Sequence, residues 1–269
     1  MIAPRRTVAD TVSFEGLGLH GGVPVNVKVH PGEDGIAFRL GSERTPARPD
    51  HVTDTSRCTR LGSISTIEHL MSALCGLEIT DAEIELDGPE LPALDGSAQP
   101  YVEAIQRGGM TVIGERDFSQ PFSRVFFQEL PVKIAVGKGE GQWRYTYEAD
   151  GHWPGEQTYE TAEVISQYAS EIAPARTFAR ADEVPAVLQA GLAKGLDIEK
   201  ALIIGIDGYK NVPRFRDEPA RHKLLDLMGD LYLAGIPARL LNVTAERSGH
   251  RTNVETAWRL YQSVHHESS

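Results

Sequence analysis

No stretch of this chain approaches the roughly 18 consecutive apolar residues that a membrane-spanning helix requires. The opening Met1-Ile2-Ala3-Pro4-Arg5-Arg6 runs into Thr7-Val8-Ala9-Asp10 without the apolar core of a secretion signal. The expectation is a protein with no transmembrane segment that is not exported. Cysteine is nearly absent: Cys58 and Cys75 are the only two in 269 residues. A chain of this length buries a core without disulfide staples, so the expected location is a reducing compartment, the cytoplasm. Positive charge is also scarce, with 27 Lys and Arg against 38 Asp and Glu, a formal net charge of −11. Such a surface repels a phosphate backbone, and no nucleic-acid partner is expected. With 41% hydrophobic and 24% charged residues the composition is that of a globular protein, which excludes disordered, coiled-coil and fibrous classes. Several catalytic signatures are missing too: there is no Gly-x-Ser-x-Gly elbow, no P-loop, no His-Glu-x-x-His and no Cys-x-x-Cys. Gly16-Leu17-Gly18-Leu19-His20-Gly21 is rich in glycine but lacks the full dinucleotide fingerprint and is read as a turn.

What is present is a pattern that repeats. Val23, Val25, Val27 and Val29 alternate with polar residues or proline, the period of a half-buried strand, and Ile36-Ala37-Phe38 is placed to pair with it across Pro31–Gly35. Ser65-x-x-Glu68 reads as a capping box opening a helix whose apolar positions are Ile67, Leu70, Met71 and Leu74, ending at Gly76. A strand over 82–86 and a helix through Tyr101, Val102 and Ile105 follow, the helix stopping at Gly108-Gly109. Residues 111–122 are the candidate linker. Strands are expected around 125–127, 132–136 and 143–147, then a helix over 182–194 and a strand over 201–206. Asp217-Glu218-Pro219 opens another helix, with Leu224, Leu225, Met228, Leu231 and Tyr232 on its apolar face, ending at Gly235. A strand over 238–243, the loop Ser248-Gly249-His250 and a last helix through Val254, Trp258 and Tyr261 close the chain, with His265-His266 as a frayed tail. Helix, glycine, strand, loop, helix thus occurs twice, and each first helix carries a histidine, His69 or His222. The expected fold class is α+β, with two similar domains, residues 1–112 and 122–269, each pairing helices with a sheet.

His222 and Asp226 stand at i and i+4, on one helix face and within reach of a common ion; the same spacing also suits an ordinary ion pair. Glu68-His69 is equally open. Either His69 binds a metal while Glu68 reaches the water beside it, or Glu68 closes the capping box and His69 is a half-buried helix histidine. Duplication favours the metal, because paired helices across a pseudo-twofold bring His69 to His222 and Asp226. Two histidines and one carboxylate leave a fourth position open, as catalytic zinc sites do. Asp230 continues the stripe and is either a solvated acid or the partner that orients His250, which is otherwise a helix-start residue. Cys58 is read as a small buried residue whose thiolate can compete for a soft metal. An anionic ligand on so acidic a chain needs a local basic patch, with Lys223, Arg221, Arg247 and Arg251 as candidates.

Glu68-His69-Leu70, Pro89 through Ala98, Ala175-Arg176-Thr177-Phe178, Arg221 through Asp226, Gly229-Asp230-Leu231 and Ser248-Gly249-His250 together resemble, in order and spacing, the UDP-3-O-acyl-N-acetylglucosamine deacetylase family. The resemblance covers nearly the whole chain. It implies two similar domains whose helices are sandwiched between the sheets, and a cytoplasmic zinc hydrolase that removes the acetyl group in the committed step of lipid A synthesis. By resemblance zinc is held by His69, His222 and Asp226, and Glu68 is the general base. Lys223 and Thr177 steady the substrate and oxyanion, His250 is the general acid, Asp230 its orienting carboxylate, and Phe178 packs near the sugar. The implied partner is a small-molecule UDP-sugar, bound by a monomer. Against the family pattern the connection from Thr59 to Ser65 and the region from Gly137 to Tyr159 are compressed, and residues 194–200 differ in type. Two alternatives stand beside this one: a zinc deacetylase of the same family acting on a different N-acetylated sugar, and a non-catalytic metal- or sugar-binding protein on the same scaffold.

Overall fold

A computed structural model of the chain describes residues 2–118 and 124–265. The first half comprises β1 (Ile2–Val8), β2 (Val12–Leu17), β3 (Pro24–Pro31), β4 (Ile36–Leu40), β5 (Glu43–Pro46), β6 (Val52–Asp54), β7 (Arg60–Leu61), α1 (Glu68–Gly76), β8 (Ala82–Leu86), α2 (Gln99–Gly108) and β9 (Met110–Asp117). The second comprises β10 (Val125–Glu129), β11 (Val132–Lys138), β12 (Trp143–Glu148), β13 (Glu156–Thr161), α3 (Val164–Gln167), β14 (Phe178–Arg180), α4 (Val184–Gln189), β15 (Leu202–Ile204), α5 (Glu218–Tyr232), β16 (Leu241–Glu246) and α6 (His250–His265). The fold class is α+β, as expected.

Two five-stranded sheets carry the architecture, ordered β2-β3-β8-β4-β5 and β10-β11-β16-β12-β13. Each is the same diagram. The last strand in sequence inserts at the centre, parallel to the third strand and antiparallel to the second, while the outer pairs are hairpins. In both halves the helix next before that central strand, α1 or α5, is answered by one that follows it, α2 or α6. The duplication inferred from element order is therefore a duplication of topology. It also corrects one expectation: Ile36-Ala37-Phe38 does not pair with the valine strand, because β8 lies between them, hydrogen-bonded to β3 on one side and β4 on the other. A parallel partner arriving after a helix leaves no trace in local spacing.

The alternation read from the valines is real, with Val25, Val27 and Val29 buried at 3%, 0% and 0% while Val23, outside the strand, is 61% exposed. The inner sheet faces meet helices: α2 lies on β2 beside α1, α5 lies on β12 and β13, and α6 on β10 and β11. Helix α1 then packs face to face on α5, so the helices are enclosed between the sheets over one continuous core. Gly229 allows this approach, and Gly76 admits a neighbouring ring. A methyl at Gly229 of α5 would collide with the carbonyl of Glu68, and a methyl at Gly76 would enter the ring of Tyr168, whose hydroxyl donates to Ser72 Oγ at 2.8 Å.

Three further expectations are corrected. Of the predicted linker, residues 111–117 belong to β9, which pairs antiparallel with β1; residues 119–122, and with them the start of the second domain at 122, lie outside the described residues. The helix predicted over 182–194 shrinks to α4. The capping box at Ser65 does not form: Thr66 has φ +63°, Ile67 is the residue before the helix, and the Ser65 amide donates to Pro89. His265 ends α6, and His266 lies outside the described residues. No helix among the described residues is long and apolar enough to cross a membrane.

Because Gly229 sets the distance between α1 and α5, Gly229→Ala is expected to lower unfolding free energy by about 1–3 kcal/mol, the usual cost of overpacking a close contact. Denaturant unfolding followed by circular dichroism checks this. Wild-type stability in the variant would show that the helices separate without cost.

Candidate metal centre

The contact between α1 and α5 brings together residues far apart in sequence. His69, on the first turn of α1, lies with its ring centroid 5.1 Å from that of His222 on α5, at an interplanar angle of 85°. Asp226 follows one turn after His222. Its Oδ1 is 3.6 Å from His69 Nε2 and 3.4 Å from His222 Nε2. The three ligand atoms lie within 4.8 Å of one another, and all three residues are buried. The i, i+4 spacing and the paired helices thus meet as their pattern suggests.

Whether this set fits a cation is tested by what each atom already does. His222 Nδ1 is 3.1 Å from the carbonyl oxygen of Ala175 and donates to it, which leaves Nε2 as the lone-pair nitrogen facing Asp226. Burial drives the His222 imidazole down to about 3, with His69 and Lys223 pushing the same way against Asp226, so it is neutral, the form that ligates. Burial also opposes the charge on Asp226, but the Lys223 ammonium hydrogen-bonded to it outweighs that and holds the carboxyl well below its ordinary range. Its two oxygens differ: Oδ2 accepts from Lys223 Nζ at 2.9 Å, while Oδ1 is buried with no hydrogen-bond partner. A buried carboxylate oxygen without a donor, between two imidazole nitrogens, is a costly arrangement that a bound cation relieves. Two histidines and a carboxylate are also the donor set of open zinc sites. The residues fit a metal.

Around this triad stand the other predicted residues. Glu68, 3% exposed, does not cap α1: its Oε2 accepts the Thr59 amide at 3.0 Å and its Oε1 lies 3.9 Å from His250 Nε2. Burial raises its pKa, with His250 and His69 opposing. His250 Nδ1 is 3.0 Å from Asp230 Oδ2, so Asp230 is no solvated acid but the fully buried partner of that imidazole. The loop before His250 is seated by the Tyr145 hydroxyl, which donates to the Ser248 carbonyl. Burial works against an imidazolium at His250, yet Asp230 and then Glu68 outweigh it and carry the pKa up to about 9.

Lys223 is pulled in two directions: burial disfavours its charge, and Asp226 followed by Tyr145 raises its pKa all the same. Its ammonium also lies 5.5 Å from the ring centroid of Phe178, which stacks edge-on to Tyr147 at 5.3 Å and to His222 at 6.0 Å. Thr177 precedes Phe178, its amide bonded to the Gly96 carbonyl. Both are seated by Arg176, whose guanidinium and amide bond the wholly buried Glu218 at the start of α5.

The structure also brings in residues whose sequence context carries no signal. Thr59 bonds both Glu68 and Asp230, Asn253 donates to Asp230 Oδ2 at 3.0 Å, and Ala175 orients His222. Each contacts the site across more than nine positions or through a backbone atom, beyond the reach of spacing rules. His20, placed in a turn by sequence, has a buried Nδ1 with no hydrogen-bond partner, and its pKa is lowered by burial, with Arg57, His250 and His69 contributing. The proposed basic patch is largely neutralised: Arg221 pairs with Glu171 and Asp217, Arg247 with Asp150 and Arg251 with Glu129. Burial, then Glu68, pushes the Cys58 thiol up to about 12, which keeps it protonated and a poor competitor for metal.

Comparison with known proteins identifies the family. Residues 5–262 match the family described as UDP-3-O-acyl N-acetylglycosamine deacetylase. A protein of Nostoc sp. named UDP-3-O-acyl-N-acetylglucosamine deacetylase is 35% identical over 276 residues, 95% of this chain and 98% of the relative. Proteins of the same name from Thermosynechococcus vestitus and Leptospira biflexa are 37% and 35% identical, each across 94% of this chain and across 92% and 88% of their own lengths.

His250 in the metal-free protein is expected to remain an imidazolium until about pH 9. Since that value lies above the ordinary one near 6.5, the stability it confers is complete below about pH 6.5 and is lost as pH rises through about 9. Asp230→Asn removes the largest charge that raises it, so the His250 pKa is expected to fall. An NMR titration of the ring protons reads both; an unchanged midpoint in the variant would refute the assignment of cause.

Proposed function

The chain belongs to the UDP-3-O-acyl N-acetylglycosamine deacetylase family, and we propose that it hydrolyses the N-acetyl group of UDP-3-O-acyl-N-acetylglucosamine, the committed step of lipid A synthesis, at a zinc centre held by His69, His222 and Asp226. The observation that carries this reading is the orphaned Asp226 Oδ1 between two imidazole nitrogens, flanked on one side by the Glu68 and His250 pair. Zn2+ there supplies a Lewis acid that polarises the acetamide carbonyl and acidifies water.

The chain's own groups divide the remaining work. Glu68, its pKa raised by burial, accepts at Oε1 the proton of the attacking water. Negative charge developing on the amide oxygen would be met by the Lys223 ammonium and the Thr177 hydroxyl. His250, carrying its second proton at Nε2, passes it to the departing amine, while Asp230 keeps the Nδ1 proton in place. Phe178, edge-on to Tyr147, offers an apolar wall for the sugar. The acetamide leaves as acetate and the free amine remains on the UDP-sugar. The reading divides the chain into units 1–112 and 122–269, the first supplying Glu68 and His69 and the second the other groups, and it places the enzyme in the cytoplasm as a monomer.

Metal analysis of the purified protein is expected to find one zinc per chain, lost in His222→Ala together with acetate release. Glu68→Gln should keep the zinc and lower kcat by about 10^2- to 10^4-fold. Acetate released only from the unacylated UDP-sugar would move the substrate elsewhere, and zinc without turnover of either sugar would leave a binding protein.

A further inference from the structure

Thr59 lies in the loop before β7, wholly buried, and touches both halves of the proton-transfer machinery. Its amide donates to Glu68 Oε2 at 3.0 Å, and its hydroxyl donates to Asp230 Oδ1 at 2.5 Å, across 171 positions of sequence. Its carbonyl accepts the amide of Ile67, the residue immediately before α1, so the threonine is tied to the helix that carries Glu68 and His69. All three of its polar groups are therefore committed.

The consequences follow from donor and acceptor counting. Asp230 is a buried carboxylate with three donors: Thr59 Oγ1 on one oxygen, and His250 Nδ1 and Asn253 Nδ2 on the other, each at 3.0 Å. With its proton directed at Asp230, the Thr59 hydroxyl presents only a lone pair to His250 Nδ1, 3.4 Å away. That nitrogen thus faces two acceptors, Asp230 Oδ2 and Thr59 Oγ1, and is held as N–H, which turns Nε2 outward toward Glu68 Oε1, 3.9 Å distant. On the other side, the amide of the same residue engages Glu68 Oε2, and Oε1 is left as the oxygen that faces His250. One residue selects which atom of the base and which atom of the acid face the reaction.

We propose that Thr59 is a positioning residue that couples the orientation of Glu68 to that of the His250–Asp230 pair. The inference rests on the deacetylase reading above and adds to it the means by which proton acceptor and proton donor are held in register. Groups that orient the residues around a metal site typically matter by about 10- to 100-fold when removed. Since Thr59 lies behind the reacting groups, its loss acts on turnover and not on substrate affinity.

The test compares zinc-loaded wild type with Thr59→Val, which keeps shape and amide but loses the hydroxyl, and with Thr59→Ser, which keeps both. Expected are a kcat about 10- to 100-fold lower in Thr59→Val, with KM and zinc content unchanged, near-complete recovery in Thr59→Ser, and a shifted His250 Nδ1 proton resonance in the valine variant alone. Thr59→Ala removes the same hydroxyl with less bulk and takes its place should the valine variant not fold. A wild-type kcat in the hydroxyl-free variant, a loss that appears in KM or zinc content instead, or a serine variant as impaired as valine overturns the proposal. Wild-type turnover and the Glu68→Gln loss are measured in the same series, so failure of the coupling is distinguishable from failure of the deacetylase reading.

Discussion

Three carboxylates, Glu68, Asp226 and Asp230, are withdrawn from water between α1, α5 and α6, and the surrounding structure answers their charge. An isolated buried carboxylate would take up a proton. Here each meets a different environment. Asp230 receives three hydrogen-bond donors, spread over both oxygens; Asp226 receives an ammonium on one oxygen and none on the other; Glu68 receives a single amide and has its pKa raised by burial. Those environments suit an orienting group, a metal ligand and a proton acceptor respectively. The chemistry is divided among identical functional groups by how much hydrogen bonding each is allowed.

This division depends on the duplicated fold. Each half supplies a sheet that presents one helix toward its counterpart, and the two halves contribute different members of the site: Glu68 and His69 from α1, His222, Lys223, Asp226 and Asp230 from α5. Neither helix holds a complete set. Gly229 sits at the contact, one residue before Asp230 and three after Asp226, so the position that lets the helices approach lies on the helix that carries His222 and Asp226. A buried polar cluster between helices is otherwise expensive, and the apolar core that runs through both halves holds it closed.

Much of this was legible in the sequence because it is periodic. Helical spacing placed His222 and Asp226 on one face and Asp230 on the same stripe, and the repeated order of elements put His69 opposite them. Strand alternation located β3 and β8 for the same reason. The failures share a cause: they depend on contacts that spacing does not encode. The partner of β4 arrives in parallel after a helix; the positive φ of Thr66 delays α1 past the residue that a capping box would use; Arg221, Arg247 and Arg251 find acidic partners through tertiary packing. Loop residues such as Thr59 and Ala175 lie outside any period, and nothing local distinguishes them from other buried loop positions.

The stripe on α5 shows where periodicity stops and chemistry begins. Asp226 and Asp230 are one turn apart, both buried and both acidic, and spacing puts them on one stripe of the helix. Hydrogen-bond accounting separates them. Both oxygens of Asp230 are occupied by donors from the first half and from α6, Thr59 on one and His250 and Asn253 on the other. Asp226 keeps Oδ1 clear because Lys223, the residue beside His222, engages only the opposite oxygen. The ammonium thereby does two things at once: it keeps Asp226 ionised in a buried site, and it leaves a bare oxygen where a cation would sit.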